Sequence, residues 1–206
     1  MTVVVDYGVN NLRSVVRALG AGGHAATLSA DPEVVRLAER LVVPGVGNFG
    51  QARRNLATSG LADAIRAVAA AGRPILGICL GMQLFFETSE EGPDEPGLGL
   101  LRGAVRRFRT GMSVPHVGWS AVSLTVAGEA HEMLARHDAR GPVFYYHVHS
   151  YHPVPAAGDA VLATAEYDGL FPTVVGSGNI IGAQFHPEKS QQAGIDFLSR
   201  FVGWRP

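Results

Sequence analysis

The chain switches repeatedly between short, continuously apolar runs and longer stretches in which apolar residues return every three or four positions. The first pattern marks buried strands and the second amphipathic helices. Residues 2–6 (TVVVD) are β-branched and apolar and end at an Asp-Tyr-Gly turn. Asn10 or Asn11 then caps a helix through Leu12, Val15, Val16 and Leu19, closed by Gly20 and Gly22. Residues 25–28 read as a second strand. DPEVVRLAER opens a helix with Asp at the cap and Pro at its first position. Residues 41–44 (LVVP) form a strand that runs into a glycine-rich turn. Residues 51–71 are Ala-rich and helical up to Gly72, and PILGI (74–78) is a fully apolar strand followed by a helix from Leu80 to about Glu87.

Strands that are apolar on both faces and alternate with helices predict an α/β fold, a parallel sheet covered on each side. The second half of the chain has a different rhythm. Residues 104–108, 120–126, 143–148, 160–166, 173–176 and 179–184 read as short strands that fit an antiparallel extension. QQAGIDFLSRFVGW gives a final amphipathic helix, and EEGPDEPGLG (90–99) a surface loop. No repeat or low-complexity linker interrupts this order, which predicts one domain over residues 1–206.

Composition narrows the function more than the fold. A chain of 206 residues buries roughly 70% of its unfolded surface, enough to hold a core without disulfides or metal. With 17 Lys+Arg against 18 Asp+Glu, the charge gives no case for nucleic acid or an anionic membrane. The apolar runs are far short of a membrane span. Position 1 leads straight into a strand without a basic n-region, so a cytoplasmic protein is expected. The single cysteine rules out an internal disulfide, and zinc-type Cys/His spacing is absent.

That cysteine lies in GICLGMQ (77–83). Gly77-Ile78-Cys79-Leu80-Gly81 has the form of a nucleophile held in a sharp strand-to-helix turn, where flanking glycines let neighbouring chain pass closely. The first amides of the following helix face the sulfur. They favour the thiolate, and the Leu80 N–H is offered to a developing oxyanion. The alternative is a small buried apolar cysteine between strand and helix. A thiolate that turns over needs a base and a group to orient it. Of eight histidines, His24, His131 and His137 lie at helix ends or in loops and read as solvated. His186 ends the apolar run IIGAQF, with Glu188 two positions on and Pro187 fixing the chain between them. Cys79, His186 and Glu188 therefore make a candidate catalytic triad.

GICLGMQ and QFHPEKS resemble, in sequence and in order, the nucleophile and His-x-Glu motifs of the class I, triad-type glutamine amidotransferases. More narrowly, DYGVNNLRSV, PGVGNFG, CLGMQLFFETSEEG, PHVGW, VHSYH, EYDG and QFHPEKS resemble the glutaminase subunits of imidazole glycerol phosphate synthases in histidine biosynthesis. The resemblance spans nearly the whole chain. It implies the three-layer, flavodoxin-like α/β fold of that family and a reaction that needs neither metal nor cofactor. Cys79 would attack the side-chain amide of glutamine, giving a thioester and ammonia; His186 would shuttle the protons and Glu188 steady the imidazolium. Val46 and Leu80 match the backbone donors of the oxyanion hole. Gly45, Gly47, Gln83, Glu91, Ser150 and Tyr151 match glutamine-holding positions.

The resemblance also implies a partner. A (β/α)8-barrel cyclase subunit would form a heterodimer with this chain and take the ammonia. It would use it to convert the phosphoribulosyl-formimino aminoimidazole carboxamide ribonucleotide (PRFAR) to imidazole glycerol phosphate and AICAR. Asn11, Trp119, Tyr146 and Lys189 match the interface. Taken without the family, Gln83 reads equally as a solvated helix residue, Glu91 as a loop acid, Ser150 and Tyr151 as a strand exit, and Trp119 as core. Asn10, Ser120 and His147 depart from the usual Gly, Asn and Phe. A glyoxalase- or peptidase-like cysteine-elbow enzyme fits less well, because Gly81-Met82-Gln83 and HPEK are present. A non-catalytic scaffold fits less well because the whole triad is present.

Overall fold

The computed structural model describes residues 1–109, 111–134 and 141–206. The first half follows the alternation of its sequence: β1 (Thr2–Val5), α1 (Leu12–Ala21), β2 (Ala26–Ser29), α2 (Pro32–Arg36), β3 (Arg40–Val43), α3 (Phe49–Thr58), α4 (Leu61–Ala70) and β4 (Ile75–Ile78). Strands β2-β1-β3-β4 lie side by side and parallel. Their successive residues point to opposite faces, so each strand feeds two cores. Val3 and Val5 join the cluster containing Val35, Leu56 and Ile65 from α2, α3 and α4. Val4 joins the opposite cluster, with Val15 and Leu19 from α1 and Phe197 and Phe201 from the C-terminal helix. Each such side chain, fully buried, contributes about 1.5–3 kcal/mol.

The chain continues through α5 (Leu80–Gln83), β5 (Thr88–Ser89), β6 (Gly103–Arg107), β7 (His116–Leu124), α6 (Val126–Ala130), β8 (Val143–His149), β9 (Tyr151–Pro155), β10 (Val161–Glu166), β11 (Leu170–Ser177), β12 (Ile180–Ala183) and α7 (Gln191–Gly203). The large sheet has the order β2-β1-β3-β4-β12-β11-β10-β7-β8, and β5-β6-β9 form a small second sheet. From β12 outward through β11, β10, β7 and β8 every pairing is antiparallel. The expected extension is therefore present, with two corrections, the first being that the strand expected over 104–108 is β6, in the small sheet. The strand expected over 179–184 as part of it lies parallel to β4, with Ala183 opposite Ile78. β12 is the seam between the two halves.

Three local expectations also change. The helix expected over 51–71 is two helices, because Gly60 adopts a left-handed φ of 74° between α3 and α4. The helix expected from Leu80 to Glu87 ends after Gln83. Its continuation is blocked because the carbonyls of Leu84, Phe85, Phe86 and Glu87 accept hydrogen bonds from the 97–101 amides, among them Leu98 N at 2.7 Å and Leu100 N at 2.8 Å. For the same reason 90–99 is not wholly a surface loop: Leu98 is buried in the core. In addition, β9 appears across Pro153 and Pro155, in a stretch where no strand was expected. It is an edge strand of the small sheet, where proline is tolerated.

Candidate active site

Parallel strands deliver their C-terminal ends to one edge of a sheet, and in open α/β sheets that edge is where ligands bind. Here β4 delivers Cys79 and β12 delivers Gln184, Phe185 and His186. The seam is fastened by the Cys79 amide, which donates to the Ala183 carbonyl at 2.7 Å. Cys79 itself adopts φ 52° and ψ −112°, a left-handed backbone strained for any residue with a Cβ. The surroundings enforce it. A Cβ on Gly81 would lie 1.7 Å from the Val43 carbonyl oxygen, and one on Gly77 2.6 Å from the Met82 Cα. Both flanking glycines are thus required by contact with backbone. Because α5 is a single turn, the help it gives the sulfur comes from its first free amides rather than from a long helix dipole.

His186 Nδ1 and Glu188 Oε1 lie 2.7 Å apart, both side chains about 1% exposed. The same carboxylate oxygen accepts a hydrogen bond from Asn11 Nδ2 at 2.5 Å. Asn11, expected at the partner interface, therefore also has a task inside the site. Its backbone is left-handed, with φ 73°. Nε2 of His186 has no hydrogen-bond partner among the described residues, yet Cys79 is near enough for its charge to act on the ring. Burial alone would depress the imidazole; Cys79 first and Glu188 second outweigh it and lift its pKa to about 10. The arrangement favours the imidazolium form of His186.

A cavity of about 610 Å³ opens over Cys79, lined in part by Val46, Gly47, Gln83, Glu91, Ser150 and Tyr151. Asn10, Asn11, Leu80 and Lys189 also line it. The structure thus brings together the candidate nucleophile, both proposed oxyanion residues and five of the six candidate glutamine-holding positions. Gly45 is the exception. It is buried against the nucleophile turn, and a Cβ there would sit 2.4 Å from Tyr7 Oη and 3.0 Å from Leu80 Cβ. Its smallness serves close packing, whereas Gly47, at φ 129°, has open space around it.

Gln83 is neither solvated nor wholly free to meet a ligand. Its amide nitrogen donates to the Tyr151 carbonyl and to Gln184 Oε1, each at 3.1 Å, which leaves its oxygen for the cavity. Glu91 is half-buried and accepts the Phe49 amide at 2.9 Å, so it also caps α3. Burial pushes its carboxyl above the usual range against the pull of that amide. Trp119 is not core: it is 47% exposed, edge-on to Tyr146 at 6.1 Å. Lys189 Nζ lies 5.7 Å above the same Tyr146 ring.

Other histidines part from expectation. His131 is half-buried against Trp204, at 5.2 Å between rings, and burial lowers its pKa. His137 lies outside the described residues. Sequence reasoning gave no role to Tyr7 or Gln184. Tyr7 Oη donates to the Pro44 carbonyl at 2.5 Å, fastening the start of the 44–47 turn, and burial followed by the Cys79 charge raises its pKa. Gln184 Nε2 donates to Cys79 Sγ at 3.6 Å. Its only signal in the sequence is a polar residue inside an otherwise apolar strand end, IIGAQF.

The family model described as glutamine amidotransferase class-I matches residues 3–203. The chain is 46% identical over 199 residues to "Imidazole glycerol phosphate synthase subunit HisH" of Symbiobacterium thermophilum, covering 97% of this chain and 92% of that protein. It is 45% identical over 209 residues to the protein of the same name from Geobacillus kaustophilus, covering 98% and 96%. A crystal structure titled as a glutamine amidotransferase superposes with a TM-score of 0.73 at 22% identity, over 97% of this chain and 98% of that one. The glutaminase domain of Trypanosoma brucei CTPS with bound acivicin gives 0.68 at 14% identity, over 100% and 94%. These two likenesses concern the fold.

Proposed function

The chain belongs to the class-I glutamine amidotransferase family, and from that premise we propose that it is the glutaminase subunit of an imidazole glycerol phosphate synthase in histidine biosynthesis. It acts as a single glutamine amidotransferase domain over residues 1–206, in the cytoplasm. Among the described residues no helix is long and apolar enough to cross a membrane. The observation that carries the reading is the meeting of Cys79, on its strained turn, with the buried His186–Glu188 pair at the ends of adjacent parallel strands.

The chemistry follows from those positions. Glutamine enters the cavity with its α-ammonium towards Glu91 and its backbone held at Ser150 and Tyr151. Cys79 Sγ attacks the side-chain amide carbon, and the Leu80 and Val46 amides receive the charge that develops on oxygen. His186 gives its proton to the leaving nitrogen, the C–N bond breaks, and ammonia and a thioester result. His186 then takes a proton from water, whose oxygen attacks the thioester carbon. The C–S bond breaks, glutamate leaves and the thiolate returns. Glu188, held by Asn11, steadies the imidazolium in both half-reactions.

Free ammonia is mostly protonated at neutral pH and diffuses away, so its release has to be coupled to use. We place the user in a (β/α)8-barrel cyclase subunit docked, as a heterodimer, against Asn11 and Lys189, which line the cavity, and the Trp119 and Tyr146 rings beside Lys189. It would convert PRFAR to imidazole glycerol phosphate and AICAR. The test is synthesis by the co-purified pair with glutamine or with ammonium salts as nitrogen source. Both sources are expected to support it; synthesis from ammonium but never from glutamine would overturn the reading.

A further inference from the structure

Gln184 is fully buried, and every polar atom of its side chain is committed. Nε2 donates to Cys79 Sγ at 3.6 Å, within reach for a sulfur acceptor. Oε1 accepts from Gln83 Nε2 at 3.1 Å, and the second N–H of Gln83 is spent on the Tyr151 carbonyl at 3.1 Å. The backbone of Gln184 is fixed as well, its amide donating to the Thr173 carbonyl at 2.8 Å. An amide side chain can turn over and exchange its oxygen for its nitrogen, which here would aim a carbonyl at the sulfur. Gln83 prevents this: a donor fixed on one side leaves only the N–H side of Gln184 to face Cys79. The direction of the chain is set at Tyr151, whose carbonyl can only accept.

We propose that Gln184 is a positioning residue for the nucleophile, its amide N–H holding the Cys79 sulfur as an anion and Gln83 holding that amide in the donating orientation. The proposal rests on the reading of Cys79 as the nucleophile. It gives that sulfur a second fixed neighbour besides His186, on the side of β12 rather than of the base. A hydrogen bond to a charged group is stronger than one to a neutral group and favours the charged form. It also costs no reorganisation when the sulfur attacks. The relay has a further consequence for Gln83: a residue lining the substrate cavity is tied through one amide to the reacting atom.

The experiment is alkylation of Cys79 by iodoacetamide across a range of pH, with the whole chain, beside glutaminase kinetics in the complex with the cyclase. Gln184→Met keeps the length of the side chain and removes both its donor and its acceptor. The expected result is alkylation slowed about tenfold or more at pH 7, with the pH profile moved up by about one unit. kcat should fall while KM for glutamine stays within about threefold. Gln83→Met should move the profile in the same direction by less, since the amide is left in place but free to turn. Gln184→Glu keeps both shape and an acceptor for Gln83 but has no N–H. Its added charge would by itself move the profile up, so only an unmoved profile is informative there. Gln184→Leu, which lacks the N–H and adds no charge, serves if the methionine variant does not fold. An unmoved pH profile in a folded Gln184 variant overturns the proposal, whatever happens to thermal stability. Failure of the parent reading looks different: iodoacetamide labelling of the unaltered protein would then be indifferent to added glutamine.

Discussion

Two regions of this molecule bury imidazoles, and they treat them in opposite ways. At the parallel end of the sheet His186 is held charged, between a carboxylate and a sulfur. At the antiparallel end of the molecule and in the small sheet beside it, His116, His147, His149 and His152 pack edge-on or tilted around Phe171, with His116 stacked on His147 at 5.2 Å and Phe108 4.7 Å from His152. All four are pushed towards the neutral form, first of all by burial, with His147 drawn down to about 3. The hydrogen bonds of His147 go to the Tyr145 carbonyl and the Thr173 hydroxyl, neither of which brings a charge. Burial is common to both regions and cannot distinguish them. What sets His186 apart is the pair of negative groups beside it, Cys79 and Glu188, which outweigh its burial.

The largest test of that contrast removes one of those anions. Cys79→Ala should lower glutamine-dependent synthesis by about 10⁶-fold, as for a nucleophile that works as a unit with its base. Synthesis from ammonium salts in the same complex should be nearly unchanged, and equal loss of both would make the cysteine structural. Removing the other anion is milder. Glu188→Gln preserves shape but not charge, and glutamate release should fall by about 10⁴-fold with little change in melting temperature. Undiminished turnover would take Glu188 out of the triad.

The third test uses pH, and the two regions respond with opposite sign. His186 has a folded pKa raised above its unfolded value, so its contribution is complete below about 6.5 and is lost as pH rises towards about 10. The extension behaves the other way. A lowered pKa gives stability that is present above about 6.5 and is lost as pH falls, down to about 3 for His147. Melting temperature should therefore decline on both sides of neutrality. His147→Phe should flatten the acid limb and leave the alkaline limb alone; a parallel change in both limbs would break the contrast. The smallest effect concerns the 44–47 turn. Gly45 is packed in place and Gly47 is not, and we propose that the Val46 amide turns towards Cys79 about the free side of the turn only in the loaded complex. Glutaminase activity should rise at least about tenfold when cyclase and nucleotide ligand are both added. A lone subunit already at the full rate would mean a preformed hole.

What the sequence disclosed follows the range of the forces involved. The valines of β1 and the Asp31-Pro32 start of α2 are set by near neighbours, and the glycines beside Cys79 announce its turn even though distant backbone at Val43 and Ala183 holds it; each was legible. The end of α5 was not, because the carbonyls that would have continued it are taken by amides from 97–101. Nor was the parallel placement of β12, which depends on β4, about a hundred residues earlier in the chain. The candidate site divides in the same way. Cys79, His186 and Glu188 stand in short motifs whose chemistry can be read directly. Asn11 and Gln184 take their roles from contacts with Glu188 and Cys79 that no local pattern encodes.

The seam formed by β12 also orders events in time. During synthesis β4 leaves the ribosome long before the strand that will flank it. At about 5–20 residues per second the wait is roughly 5–20 s. Through that interval Ile75–Ile78 is an uncovered apolar edge, the kind of surface that recruits a second chain. The thiol is already present but has no base beside it, so an incomplete chain cannot consume glutamine. One late pairing, β12 on β4, closes the exposed edge and assembles the chemistry in the same event.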